Sequence, residues 1–412
     1  MVAEKLSGRV WVSVGLNDLR QLHIDNRLKN KWLFPELVTG AVLSFWIVSV
    51  YFTGDTKFEE LALGSETTSY QALDENKKPI HIVKIEGEEE REFITNWKKR
   101  GRKGVVLFFG NSQMHSVNQM KTGEVNFLEL LYAKNRSDTA EVLGNSLPNA
   151  GLQEFYLAYE YWKDILPLKT IVIPVFMDDM REDGVRSVFF SDLVNSKYQL
   201  RDTADYLARQ INKDLRGYWS NNPNNKTEDT RADMAALRET FQEKTEIYLN
   251  DRLEQNSLAW NNRKNVRGDM FHWLYKFRNT VFGINASSVR RMIPQRFEWN
   301  MHALELIIMD CIQDDRRVVL YIPPIRSDVR LPYDAIDYEL FKKRIEALTR
   351  KYKSHVAYRN YEGIIPGSLW GYKAATDLTA GKEIDYMHFQ FRGHQILADS
   401  LENDLSQLGI FK

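Results

Sequence analysis

Three short apolar runs do most to limit what this chain can fold into. They are GVVLFFG at 104–110, LKTIVIPVFMDD at 168–179 and RRVVLYIPPIR at 316–326. Each is rich in β-branched and aromatic residues, and the first two end in polar residues. Runs with no polar alternation are what strands buried on both faces require. Segments with apolar residues at helical spacing separate them. LQEFYLAYEYWKDILP (152–167), Met301–Asp315 and Asp337–Lys353 read as helices, and the strand-like SHVAYRNY (354–361) leads on to a last helix over Arg392–Leu408. The run NFLELLYAKN (126–135) fits either a helix or a strand with a short helix. Alternation of this kind predicts a mostly parallel sheet with helices on both faces. In such sheets ligands bind at the carboxyl ends of the strands.

The chain is long enough for one large domain or two ordinary ones, with 412 residues. Hydrophobic residues make up 43%, which supplies a packed core and excludes global disorder. Lysine plus arginine and aspartate plus glutamate are 56 each, and no nucleic-acid signature accompanies that balance. A single cysteine, Cys311, excludes a disulfide framework and a cysteine metal site. No H-x-x-x-H, P-loop or dinucleotide fingerprint is present, so neither metal nor cofactor is expected.

Near the start, KWLFPELVTGAVLSFWIVSVYFTGD carries no charge from Leu37 to Gly54. That is the length of a membrane-spanning helix. Arg27, Lys29 and Lys31 precede it, whereas Asp55, Glu59 and Glu60 follow with Lys57 among them. The charge bias predicts an uncleaved anchor over 32–53, with residues 1–31 in the cytoplasm and the rest outside. A buried core helix is the alternative, given Thr39, Gly40, Ser44 and Ser49. Residues 54–103, with EGEEEREF and KKRGRKG, read as a charged stalk leading into the main domain. Residues 104–186 and 298–412 form that domain, and 187–297 read as a helical insertion interrupted by SNNPNNKTED.

Two stretches carry candidate chemistry. FFGNSQ places Ser112 just past the first strand, where it is either a nucleophile or the N-cap of the next helix. IDYMHFQFRGHQILADSL places Asp385 three residues before His388, ahead of the last helix. On a tight turn that spacing sets the carboxylate against Nδ1 of the histidine and leaves Nε2 free to accept a serine proton. His115, three residues beyond Ser112, is the rival base.

The pair of motifs, serine in the first block and Asp-x-x-His in the last, resembles the SGNH (GDSL-type) hydrolase superfamily over about residues 100 to 410. The resemblance implies a flavodoxin-like three-layer α/β/α fold and a triad of Ser112, His388 and Asp385. In that superfamily a glycine amide from a second block and an asparagine from a third complete the oxyanion hole. LPNAGLQEF offers Gly151 for the glycine, with Asn149 beside it. The third block falls on VFMDDMREDGVR, which carries Asp178 and Asp179 instead. An ionised carboxylate cannot donate to an oxyanion. Either Arg181 or Arg186 supplies the charge there, or the hole has one donor fewer. GLND at 15–18 looks like the missing block but precedes the anchor, across the membrane from Ser112.

With an anchor and an outside domain, the chain looks like the branch that O-acetylates exopolysaccharides or D-alanylates teichoic acid. The resemblance then implies a polysaccharide acceptor and a multispanning membrane acyltransferase as partner. A membrane-tethered esterase or lipase, and a non-catalytic component of an acylation complex, are the competing readings.

Overall fold

The computed structural model describes residues 66–101, 104–135, 140–221, 263–379 and 381–411, together with 39, 40 and 252. The expected anchor at 32–53 lies outside these apart from Thr39 and Gly40, as do GLND and the segment 222–251 of the insertion. Among the described residues no helix is long and apolar enough to cross a membrane. The chain divides into two compact units, Met1–Thr56 with Thr240–Phe271, and Lys57–Glu239 with His272–Lys412. The described residues of the first are helical. The candidate site lies in the second.

In chain order the elements are β1 (Thr67–Ser69), β2 (His81–Ile82), α1 (Gly87–Arg100), β3 (Val105–Gly110), α2 (Ser112–His115), β4 (Ser116–Asn118), α3 (Phe127–Lys134), β5 (Glu141–Ser146), α4 (Leu152–Lys163) and β6 (Leu168–Pro174). After β6 come α5 (Ser191–Asn195), α6 (Tyr206–Asn221), α7 (Arg263–Phe282), α8 (Pro294–Gln313), β7 (Arg317–Ile322), α9 (Ala335–Lys351), β8 (Val356–Asn360), β9 (Trp370–Ala374), β10 (Lys382–Phe389) and α10 (Phe391–Gln407).

The central sheet has the order β2-β5-β3-β6-β7-β8, and every neighbouring pair is parallel. From β3 the chain moves one way to β5, then returns past β3 to β6 and continues to β7 and β8. That reversal is the switch point of a doubly wound sheet, and the crevice it opens lies at the carboxyl ends of β3 and β6. Right-handed crossovers in opposite directions put α3 on one face and α4, α8 and α9 on the other. Aromatic packing agrees with this division. Phe127 of α3 stacks on His394 of α10 at 6.1 Å, and Phe93 of α1 meets Trp162 of α4 edge-on at 5.5 Å. All six residues of β3 are buried, as its unbroken apolar run requires.

Residues 66–101 are not a stalk. They supply β2, the edge strand of the sheet, and α1, which packs on it. The charges that suggest a stalk are those of an amphipathic helix. Glu88, Glu89 and Glu90 fill the first turn of α1, and Lys98, Lys99 and Arg100 fill the last, where each sign complements the helix dipole. Phe93 is buried beneath them. Gly101 ends the helix at φ 67°, the left-handed region a glycine occupies without a Cβ clash.

Besides His388, three histidines are buried among the described residues: His81, His115 and His394. Burial lowers His81 and His394 to about 3, and burial together with the neighbouring His81 and His388 holds His115 well below the ordinary range. All three fold in the neutral form. Once unfolded they regain the ordinary value of 6.5, so the unfolded chain binds more protons below that pH. Stability therefore falls with pH from 6.5 downward, by up to about 1.4 kcal/mol per unit for each histidine. Denaturant titrations from pH 7.5 to 5 should give an unfolding free energy that drops steeply over the acid half. A flat profile would contradict neutral burial of these rings.

Candidate active site

β3 delivers its chain end into the switch-point crevice. Gly110 closes the strand, and a Cβ there would come within 2.6 Å of the Met114 side chain. Asn111 then caps α2, its side-chain oxygen accepting the Gln113 N–H at 3.0 Å. The cap is thus Asn111 and not Ser112. The serine occupies the first helical position with its hydroxyl free of capping.

The Ser112 hydroxyl meets His388 Nε2 at 2.9 Å, and His388 Nδ1 meets Asp385 Oδ2 at 2.9 Å. Asp385 and His388 are 1% and 6% exposed, and Ser112 is half-buried. Asp385 Oδ1 also accepts the backbone N–H of Met387 at 2.9 Å and of His388 at 3.0 Å. Burial alone raises this carboxyl. The His388 ring and the two amides outweigh burial and leave its pKa below the ordinary carboxylate value. An ionised carboxylate only accepts, so Nδ1 carries the imidazole proton and Nε2 presents its lone pair to the serine O–H.

The Asp-x-x-His segment is not a loop before the last helix. It lies in β10, which pairs antiparallel with β9, and the register breaks between Ile384 and Phe389. Such an irregularity re-aims side chains, and here Asp385 and His388 fall inside it. Gln113 ties this segment to the serine turn. Its amide donates to the Pro324 and Met387 carbonyls, both at 2.8 Å. Gly371 on β9 packs so closely on Asn118 that a Cβ would lie 1.7 Å from its side-chain oxygen.

His115 does not face the serine. It is buried with Nδ1 at 2.5 Å from Ser146 Oγ, and His81 Nε2 reaches the same oxygen at 2.6 Å. The remaining expected residues have other partners. Gly151 is the N-cap of α4, and its N–H donates to the Glu154 carboxylate at 3.3 Å. Asn149 sits at φ 53°, and its carbonyl accepts from Arg186. Arg186 grips Glu154 through Nε and Nη2, and its guanidinium lies over Phe189. Arg181 donates to the Arg291 carbonyl and to Asp178. Among the described residues, none of these four hydrogen-bonds to Ser112, His388 or Asp385. Arg181 and Arg186 each tie the loop after β6 to its surroundings, through Nε and one terminal nitrogen of each guanidinium.

Of the two aspartates in the third block, Asp178 is paired with Arg290 and accepts from Tyr333 at 3.0 Å. Asp179 is 1% exposed and accepts from Asn111 Nδ2 at 3.3 Å. Sequence reasoning missed Asn111 and Gln113. An asparagine just before a helix start is a capping signal, whereas nothing local marks Gln113, whose partners are 211 and 274 residues away.

No family model matches the chain, and no curated protein matches it. Solved structures do. An alpha/beta hydrolase enzyme from the metagenome of Lake Arreo, Spain, aligns with a TM-score of 0.34 and 9% identity, over 76% of this chain and 97% of that one. An acetylxylan esterase from Geobacillus stearothermophilus aligns with a TM-score of 0.33 and 9% identity, over 74% and 94%.

Replacing Gln113 with leucine would remove the donor to the buried Pro324 carbonyl and to the half-buried Met387 carbonyl. We expect Gln113→Leu to cost about 2 kcal/mol of stability and to slow reaction of Ser112 with a fluorophosphonate. Wild-type stability and labelling rate in this variant would show that the clamp has no such role.

Proposed function

We propose that this chain is a serine acyl-ester enzyme working through a Ser112 acyl-enzyme. The observation that carries the reading is the continuous hydrogen-bonded chain from Ser112 through His388 to a buried, ionised Asp385 at the switch point. Ser112 Oγ attacks an acyl carbonyl while its proton passes to His388 Nε2. The backbone N–H of Ser112 faces the developing oxyanion, and Asp385 stabilises the imidazolium. The intermediate then collapses, the alcohol leaves with the proton from His388, and the acyl group stays on the serine. Water or a second hydroxyl, deprotonated by the same imidazole, releases it.

In its finer form the reading is O-acyl transfer, with acetyl as the simplest group, to a cell-surface or secreted polysaccharide. The unit carrying Ser112 then lies outside the cytoplasmic membrane, anchored by residues 32–53, and receives its acyl group beside a multispanning membrane acyltransferase. The uncharged stretch from Leu37 to Gly54 and its flanking charges support this placement. A membrane-tethered esterase shares every step except the acceptor.

A fluorophosphonate probe should label the wild-type protein and fail on Ser112→Ala and His388→Ala, both folded by circular dichroism. Asp385→Asn should label slowly, since it disturbs orientation of the base more than its presence. Labelling that survives in Ser112→Ala would move the chemistry to another residue, and an inert, folded wild type would favour a non-catalytic component. With a soluble acetyl ester as donor, acetylation of an added glycan supports transfer. Rapid hydrolysis with no gain from glycan supports the esterase.

A further inference from the structure

The part of α7 from Trp273 to Phe282 belongs to the same unit as the candidate site, and it is turned inside out for a helix facing water. A water-facing helix packs its apolar side on the body and shows its polar side. Here the contacts with the body are polar. Asn279 is fully buried and donates to the Thr376 carbonyl at 2.8 Å, and Thr280 Oγ1 accepts the Leu378 N–H at 2.9 Å. The apolar side chains lie outside. Trp273, Leu274, Phe277, Val281 and Phe282 are all exposed, Phe282 by 72%. Trp273, Phe277 and Val281 follow one another at i, i+4 spacing and so share a face. The Trp273 and Phe277 rings stack at 5.2 Å. Leu378, on the turn between β9 and β10, is exposed beside them. Single exposed apolar residues are ordinary, whereas a contiguous set marks a surface that something apolar covers.

The path of the chain says what that is. With residues 32–53 in the membrane, the stretch from Gly54 to Glu66 reaches at most about 40 Å when fully extended. Glu66 pairs with Lys382 at 2.5 Å, and Lys382 stands opposite Ala374 in the β9–β10 ladder. Just beyond Ala374, Thr376 and Leu378 are the residues that hold α7. Tether and apolar face therefore meet the same end of one hairpin. The residue types fit the boundary between headgroups and acyl chains. Tryptophan and tyrosine rings are favoured there, as Trp273 and Tyr275 supply. Lys276 and Arg278 can lay their stems along the face and keep their charges among the headgroups. Arg278 already lies over the Tyr275 ring, 4.8 Å from its centre.

We propose that the outward face of α7 from Trp273 to Phe282 docks on the lipid bilayer at headgroup depth. The proposal rests on the anchored reading, and it adds the orientation that a single span on a tether leaves open. β10 carries Asp385 and His388, so docking holds the hairpin that completes the site close to the membrane surface. An acyl group handed over by a multispanning membrane protein would arrive at that surface.

The test uses the full chain in vesicles of phosphatidylethanolamine and phosphatidylglycerol, carrying a nitroxide on one added cysteine. Cys311 is fully buried, so the label goes to the added thiol. Phe282→Cys and Trp273→Cys report on the face. Arg350→Cys, exposed in the last turn of α9, reports on a surface in water. Electron paramagnetic resonance then compares collisions with oxygen, which concentrates in lipid, and with a nickel chelate, which stays in water. Both α7 labels should favour oxygen severalfold more than the Arg350 label does. If they are as open to the chelate as the Arg350 label, in protein that alkaline carbonate does not strip from the vesicles, the docking is overturned and the anchor stands. Labels shielded from both reagents show a protein surface over the face, from this chain, a second copy or a partner, and overturn it as well. Protein that carbonate strips from the vesicles has no anchor, and the inference falls with that reading.

Discussion

β3 is hydrogen-bonded along both edges, to β5 on one side and β6 on the other, and covered on both faces. A strand so placed has no freedom of register. Slipping it by one residue would move every side chain to the opposite face. Its position fixes where Gly110 ends, and therefore where Asn111 and Ser112 stand. The reversal of chain direction on either side of β3 opens the crevice into which that end points. The remaining parts of the site bring donors and acceptors to a place the sheet has already set.

The second half of the site arrives by different means. Asp385 and His388 belong to β10, whose antiparallel pairing with β9 lies outside the main sheet. An ionised carboxylate with about 1% exposure is stable there because three hydrogen atoms point at it, from His388 Nδ1 and two backbone amides. Taking such a charge out of water without partners would cost several kcal/mol. The irregularity in β10 lets those amides turn inward instead of joining a ladder. Gln113 carries the connection back to the serine turn.

How much of this was legible from the residues alone depended on the range of the interaction. The strands over 105–110, 168–174 and 317–322 were readable because burial on both faces leaves an unbroken apolar run. Ser112, Asp385 and His388 were readable because strand end and i, i+3 spacing are local. β2 was not, since two residues leave no period to detect, and without it the acidic start of α1 looked like a stalk. The partners that Gly151, Arg181 and Arg186 take were not legible for a related reason. The N–H of a glycine before a helix can be taken by a glutamate three residues on as readily as it can serve an oxyanion hole. Which carboxylate an arginine grips is decided by packing between elements that sequence does not bring together.

The distance along the chain between Ser112 and His388 has a consequence for biosynthesis. Ser112 and His388 lie 276 residues apart, and both Gln113 acceptors come from the last quarter of the chain. A ribosome releases the serine turn and the first four central strands long before β7, β8 and the β9–β10 hairpin exist. Until β10 emerges, the hydroxyl lacks its histidine partner and the turn lacks the Met387 carbonyl, one of the two that steady it. A nascent or truncated chain that stops short of β10 therefore carries Ser112 without its histidine, and the hydrogen-bonded chain from Ser112 to Asp385 forms only once β10 has been made.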